Sequence, residues 1–97
     1  MKIRYTPQAL TQLDEIFSYI ETENPAAAPK VKARLKQSIE RLGRFPYSCR
    51  VTETPDIRVL AVVRLRYLVF YAVDEGTQEV QILRVRHSSQ DPSHHLD

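Results

Sequence analysis

Tyr67-Leu68-Val69-Phe70-Tyr71-Ala72-Val73, then Asp74-Glu75-Gly76-Thr77, then Val80-Gln81-Ile82-Leu83-Arg84-Val85-Arg86-His87: two apolar runs around a turn signal decide the fold of this chain. Both runs are rich in β-branched and aromatic residues, and the polar, Gly-containing stretch between them predicts a hairpin. Side chains alternate across a strand, so Arg84 and Arg86 are expected on one face of a sheet and Leu83 and Val85 on the other. Guanidinium groups are seldom fully buried without a partner. A face holding two of them expects an anion, a carboxylate or water.

Working outward, Val59–Val63 reads as another strand, joined to the hairpin through Arg64-Leu65-Arg66, a weak turn without Gly or Asn. Arg44 to Asp56 holds Pro46 and Pro55 and little periodicity; it reads as a loop, with Phe45 and Tyr47 expected to pin it to the core. Upstream lie two helices. Thr6-Pro7 is a good N-cap and first position, and Ala9, Leu13, Ile16, Phe17 and Ile20 follow a helical stripe up to Asn24-Pro25. Ala28, Val31, Leu35, Ile39 and Leu42 form a second stripe, with Gly43 expected as its C-cap. Pro29 leaves that helix's start open: a start at Pro25 costs a backbone bond, a start nearer Ala27 does not. Residues 2–5 alternate and read as a short strand presenting Ile3 and Tyr5.

The order is β-α-α-β-β-β, an α+β fold in which a helix hairpin packs on one face of a small, mostly antiparallel sheet. Strand order is not readable, and the first strand is free to run parallel to a neighbour. Two helices cover one face, which leaves the other, with Arg84 and Arg86, as the place to look for function.

The 97 residues suit a single domain, 1–97, with a polar tail from about residue 88. An apolar share of 42% fits a globular chain rather than a disordered one. The net charge of +2 lacks the strong basic excess of a dedicated nucleic-acid binder, but the charge is uneven. Asp14, Glu15, Glu21 and Glu23 make the first helix acidic; Lys30, Lys32, Arg34, Lys36, Arg41 and Arg44 make the second basic. Local basic faces suit an acidic protein partner as well as RNA. One cysteine, Cys49, excludes an intrachain disulfide. No apolar run approaches the roughly 18 residues of a membrane span, and no signal stretch opens the chain, so a cytoplasmic protein with no membrane association is expected. His94-His95 lack the carboxylate or cysteine companions of a metal site, and a core this small leaves no room for a large cofactor pocket; no metal and no cofactor are expected.

Tyr5-Thr6-Pro7-Gln8-Ala9, Asn24-Pro25, Leu42 with Phe45-Pro46, Arg58, Tyr67-Leu68-Val69-Phe70-Tyr71, Ile82-Leu83-Arg84-Val85-Arg86-His87 and Gln90-Asp91-Pro92 with His94-His95-Leu96 form an ordered set. In that order and in a chain of this length they resemble the ParE/RelE toxins of bacterial type II toxin–antitoxin systems, over nearly the whole chain. The resemblance implies a growth inhibitor held silent by a cognate antitoxin in a tight hetero-oligomer. It implies one of two activities: ParE-like members are described as inhibitors of DNA gyrase, and RelE-like members as cleaving messenger RNA on the ribosome.

Metal-independent RNA cleavage needs convergent cations and a proton carrier. RelE-like members commonly place Arg where this chain, aligned on Tyr71, has Leu68, and Val51–Ile57 contains no lysine. These departures favour the ParE-like branch, acting by binding rather than catalysis. Arg58, Arg64, Arg66, Arg84, Arg86 and His87 are the expected antitoxin or target contacts. The alternative is a ribosome-dependent endoribonuclease using Arg84, Arg86, His87 and His94. A third reading is a member that no longer poisons the cell but still binds its antitoxin. The residues alone give blander roles too: His87 as a rim-capping side chain, and Arg84 and Arg86 paired with Glu79 or Asp74.

Overall fold

The computed structural model describes residues 1–62 and 64–88. The elements run β1 (Lys2–Tyr5), α1 (Pro7–Glu23), α2 (Ala28–Glu40), a 3-10 helix (Arg41–Gly43), β2 (Arg50–Val51), β3 (Ile57–Val62), β4 (Tyr67–Asp74) and β5 (Glu79–His87). They build a five-stranded sheet in the order β1-β5-β4-β3-β2. β1 runs parallel to β5, and every other pair is antiparallel. Val63, which the sequence placed in a strand, and the tail with His94 lie outside the described residues. No helix of the described residues is long and apolar enough to cross a membrane.

Both helices form where their stripes and caps dictate. Thr6 Oγ1 accepts the Ala9 N–H at 3.2 Å and starts α1. Asn24 ends it, donating its N–H to the Ile20 carbonyl. Asn24 then organises the link: its carbonyl accepts the Ala27 and Ala28 N–H groups, and Pro25 is kept out of both helices. With α2 beginning at Ala28, Pro29 falls in the first turn, where no intrahelical donor is lost. The stripes Ala9/Leu13/Ile20 and Ala28/Leu35/Ile39/Leu42 are buried against Val62, Tyr67, Val69, Tyr71, Val80, Ile82 and Val85 of the sheet. At about 1.5–3 kcal/mol for each fully buried large side chain, this one interface dominates the stability.

Three expectations are corrected. The Arg44–Asp56 stretch is not all loop: Arg50 and Val51 pair with Val59 and Arg58, and two residues are too few to leave a periodic signal. Phe45 and Tyr47 do not enter the core but are about half exposed. Cations cover them instead, Arg41 lying over the Phe45 ring at 5.7 Å and Arg58 over Tyr47 at 5.1 Å, while the loop is fixed by the Tyr71 hydroxyl donating to the Pro46 carbonyl at 2.8 Å. Gly43 is no left-handed cap, since no glycine has positive φ. It closes the 3-10 helix, and a Cβ there would stand 2.6 Å from the Met1 carbonyl oxygen. The β4–β5 hairpin forms as expected, with Gln78 in the left-handed conformation (φ 58°).

Candidate functional site

Cross-strand register fixes which side chains share the sheet face opposite the helices, because directly paired residues point the same way. Val59 pairs with Phe70 and Ala61 with Leu68; Phe70 pairs with Arg84, Leu68 with Arg86, and Val59 with Arg50. Val59, Leu68 and Phe70 form a small apolar cluster, with Ile57 beside it, separate from the main core. Three arginines therefore surround an apolar centre on this face. The Arg84 guanidinium lies over the Phe70 ring at 4.7 Å, an arrangement that holds the cation and leaves its edge available to an acceptor.

The arginines reach this face through an irregularity. Tyr71 pairs with Ile82 and Phe70 with Arg84, which leaves Leu83 as an extra residue in β5. Strict alternation from Ile82 in the core would turn Arg84 and Arg86 under the helices. The expected alternation of Arg84, Val85 and Arg86 thus holds, but Leu83 is the bulge and does not simply repeat Val85. Helix α1 satisfies the disturbed backbone. Thr6 Oγ1 donates to the Ile82 carbonyl at 2.9 Å, with the Leu83 carbonyl 3.2 Å away, and Gln12 Oε1 accepts the Val85 N–H at 2.7 Å.

Arg4 is ion-paired with Glu79 and Lys32 with Glu21. Neither Arg84 nor Arg86 is paired with Glu79 or Asp74; the Asp74 carboxylate accepts the Thr77 N–H instead. His87 is not with the arginines. It pairs with Tyr67, a core residue, and meets that ring edge-on with centroids 5.4 Å apart. The two cations and the imidazole therefore lie on opposite faces.

Arg58 also belongs to the helix-covered side, opposite Tyr71. Its guanidinium donates to the Cys49 carbonyl at 2.6 Å and stacks on Tyr47, so it fixes the 44–51 loop. Arg64 and Arg66 are exposed in the β3–β4 turn, where Arg66 takes a left-handed conformation (φ 59°) and its carbonyl accepts the Ser88 N–H. Burial and the neighbouring Cys49 push the Tyr71 hydroxyl well above the ordinary tyrosine range. Among the described residues no group of three His, Cys, Asp or Glu side chains could hold a metal ion. Sequence reasoning missed Arg50, because its strand is too short to read, and Gln12, because a polar residue beside an apolar stripe looks like ordinary surface.

The comparisons agree with this architecture. The family model described as "ParE toxin of type II toxin-antitoxin system, parDE" matches residues 3–92. A putative toxin, Y4kP, of Sinorhizobium fredii (strain NBRC 101917 / NGR234) is 36% identical over 89 residues, covering 92% of this chain and 90% of that protein. Toxin RelE2 of Caulobacter vibrioides is 34% identical over 88 residues, 91% of this chain and 96% of that one. Among solved structures, a chain of the chromosomal ParDE system of P. aeruginosa superposes with a TM-score of 0.77 at 24% identity, over 90% of this chain and 95% of that one. The isolated E. coli RelE toxin superposes with a TM-score of 0.66 at 13% identity, over 98% and 92% respectively.

Proposed function

Because this chain belongs to the ParE toxin family of type II toxin–antitoxin systems, we propose that it arrests growth in the cytoplasm by binding a macromolecular target, DNA gyrase by its ParE-like character, and that a cognate antitoxin neutralises it. The observation that carries this reading is the separation of Arg84 and Arg86 from His87. Phosphate-holding cations and a proton carrier must converge on one scissile bond for RNA cleavage. Here they occupy opposite sheet faces, and Leu68 stands beside Arg86 where the nuclease branch commonly has another cation. What that face carries instead is a buried apolar cluster of Val59, Leu68 and Phe70 rimmed by Arg50 and the partly exposed Arg84 and Arg86. An apolar core with a charged rim is how protein interfaces are built, and Arg is enriched in them.

Arg84 and Arg86 are the contacts in this reading, and an acidic antitoxin or target surface is their complement. The test is induced expression together with a purified supercoiling assay. Expected are growth arrest with a DNA-damage response, inhibition of gyrase supercoiling, intact ribosome-bound messages, and loss of toxicity in Arg84→Glu/Arg86→Glu. Truncated messages on ribosomes with normal supercoiling would instead establish the endoribonuclease alternative. Expression without growth arrest, with antitoxin binding retained, would mark a member that has lost its toxicity.

A further inference from the structure

Arg34, Ser38, Arg41 and Phe45 follow one another at helical spacing, which places them along one side of α2 and its continuation. The helical path persists that far: the Arg41 N–H bonds to the Gln37 carbonyl and the Phe45 N–H to the Arg41 carbonyl. Between this row and β3 lies a cleft of about 380 Å³, lined by Arg34, Gln37, Ser38 and Arg41 on the helical side and reached by Arg64 from the β3–β4 turn. That volume is in the range of small-ligand clefts.

The lining holds three guanidiniums and no carboxylate. Arg34 and Arg64 have no ion pair among the described residues, and Arg41 lies over the Phe45 ring at 5.7 Å. Phe45 itself stays 50% exposed. One cation thus joins a cleft of concentrated positive charge to an exposed aromatic ring. Three crowded guanidiniums repel one another, and a singly charged carboxylate offsets only one of them. Linked phosphate groups bring several negative charges into the same space and accept the forked Arg donors on several oxygens. The ring beside them offers a stacking surface to a flat base. A nucleic-acid strand carries one phosphate per base, so a groove for a strand interleaves cations and rings; here three cations serve one ring. Tyr47 does not extend the platform, because Arg58 lies over its ring and its hydroxyl bonds to Glu75.

We propose that the cleft between α2 and β3 binds a nucleoside di- or triphosphate, with Arg34, Arg41 and Arg64 holding the phosphates and Phe45 stacking on the base. Arg84 and Arg86 are not among the lining residues, and the site does not rest on the toxin reading.

The probe is ATP, titrated without magnesium into the isotope-labelled protein. Inorganic triphosphate, adenosine and a short single-stranded oligoadenylate are the comparisons. Expected are saturable shifts at the Arg34, Arg41 and Arg64 side chains and at the Phe45 ring, weakened by salt. Inorganic triphosphate should bind about tenfold more weakly for want of the stack, and adenosine and the oligonucleotide should not saturate. Phe45→Ala should bring ATP down to the affinity of inorganic triphosphate and leave the latter unchanged. Arg34→Glu/Arg64→Glu should abolish binding of both; altered only at exposed positions, it carries the test if Phe45→Ala does not fold. No saturation by ATP, unchanged affinity in the arginine variant, an unchanged preference for ATP in Phe45→Ala, or an oligonucleotide that binds as tightly as ATP would overturn the proposal. Growth arrest and supercoiling would be unaffected by that failure, so the two readings fall separately.

Discussion

Ile82 and Val85 stand three residues apart on β5, yet both are buried in the same core beneath the helices. An odd spacing on one face is possible only because Leu83 is bulged. The bulge makes the arginine face. Deleting Leu83 removes the extra residue, so Tyr71 still meets Ile82 and Phe70 still meets Arg84, with Ile82 and Val85 inward and Arg84 and Arg86 outward. What is lost is the Thr6 contact at the bulge, at a cost of about 1 kcal/mol. The deletion should therefore keep a cooperative urea transition at a somewhat lower midpoint, as should Leu83→Ala. Loss of cooperative unfolding in the deletion variant would refute Leu83 as the extra residue.

Gln12 is expected to matter more than its position suggests. Its side-chain carbonyl is the acceptor for the Val85 N–H just past the bulge. Gln12→Leu leaves that donor unsatisfied at a cost of about 1–3 kcal/mol. Gln12→Glu keeps an acceptor and should lose less. Chemical denaturation of the two variants decides the matter, and equal losses would count against the hydrogen bond as the cause.

What the sequence disclosed and what it hid follow from range. The helices were legible because cap, stripe and breaker are local: Thr6, the 9-13-16-17-20 spacing, and Asn24 before Pro25. So were the long strands, through their β-branched and aromatic runs. The bulge was not, because its satisfaction by Thr6 and Gln12 is contact across 73 residues and more. That Arg84 and Arg86 share one sheet face was legible from alternation, but sequence adjacency groups His87 with them, whereas adjacent strand residues face opposite ways. Arg34, Arg41 and Arg64 were visible only as scattered surface charge until the α2–β3 packing brought them to one cleft.

Arg58 is expected to act on the fold. It donates to the Cys49 carbonyl at 2.6 Å and lies over the Tyr47 ring. Arg58→Met should destabilise by about 1–2 kcal/mol. Arg86→Met, on the open face without an ion pair among the described residues, should stay within about 0.5 kcal/mol. Thermal and urea unfolding of the pair measures the difference; a smaller loss at Arg58 than at Arg86 would return Arg58 to the contact surface.

Tyr71 links stability to high pH. Its buried hydroxyl donates to the Pro46 carbonyl, and its folded pKa lies above the unfolded value near 10.0. The folded state therefore holds the proton where the unfolded state has lost it. That contribution is complete below about pH 10 and is lost as pH rises beyond it. Tyr71→Phe should cost about 1 kcal/mol at neutral pH, and the gap to the parent should shrink in denaturation series carried above pH 10. A gap independent of pH would show that the hydroxyl does not ionise differently on folding.

Gly43 supplies the last test, since its glycine is required by space rather than by backbone angle. Its φ is not positive, so alanine would suit the 3-10 turn conformationally. The obstacle is the Met1 carbonyl oxygen, 2.6 Å from where a Cβ would sit, and that segment cannot simply yield, because the Met1 ammonium donates to the Gly43 carbonyl at 2.7 Å. Gly43→Ala must push β1 outward, and overpacking of this sort costs about 1–3 kcal/mol. Gly76→Ala is the control: its Cβ would meet only the Asp74 carboxylate at 3.3 Å, a side chain that can turn aside. Urea midpoints should drop clearly for Gly43→Ala and barely for Gly76→Ala, with faster amide exchange along β1 in the former. A stabilised Gly43→Ala would mean that conformational entropy, not the approach of Met1, governs this position.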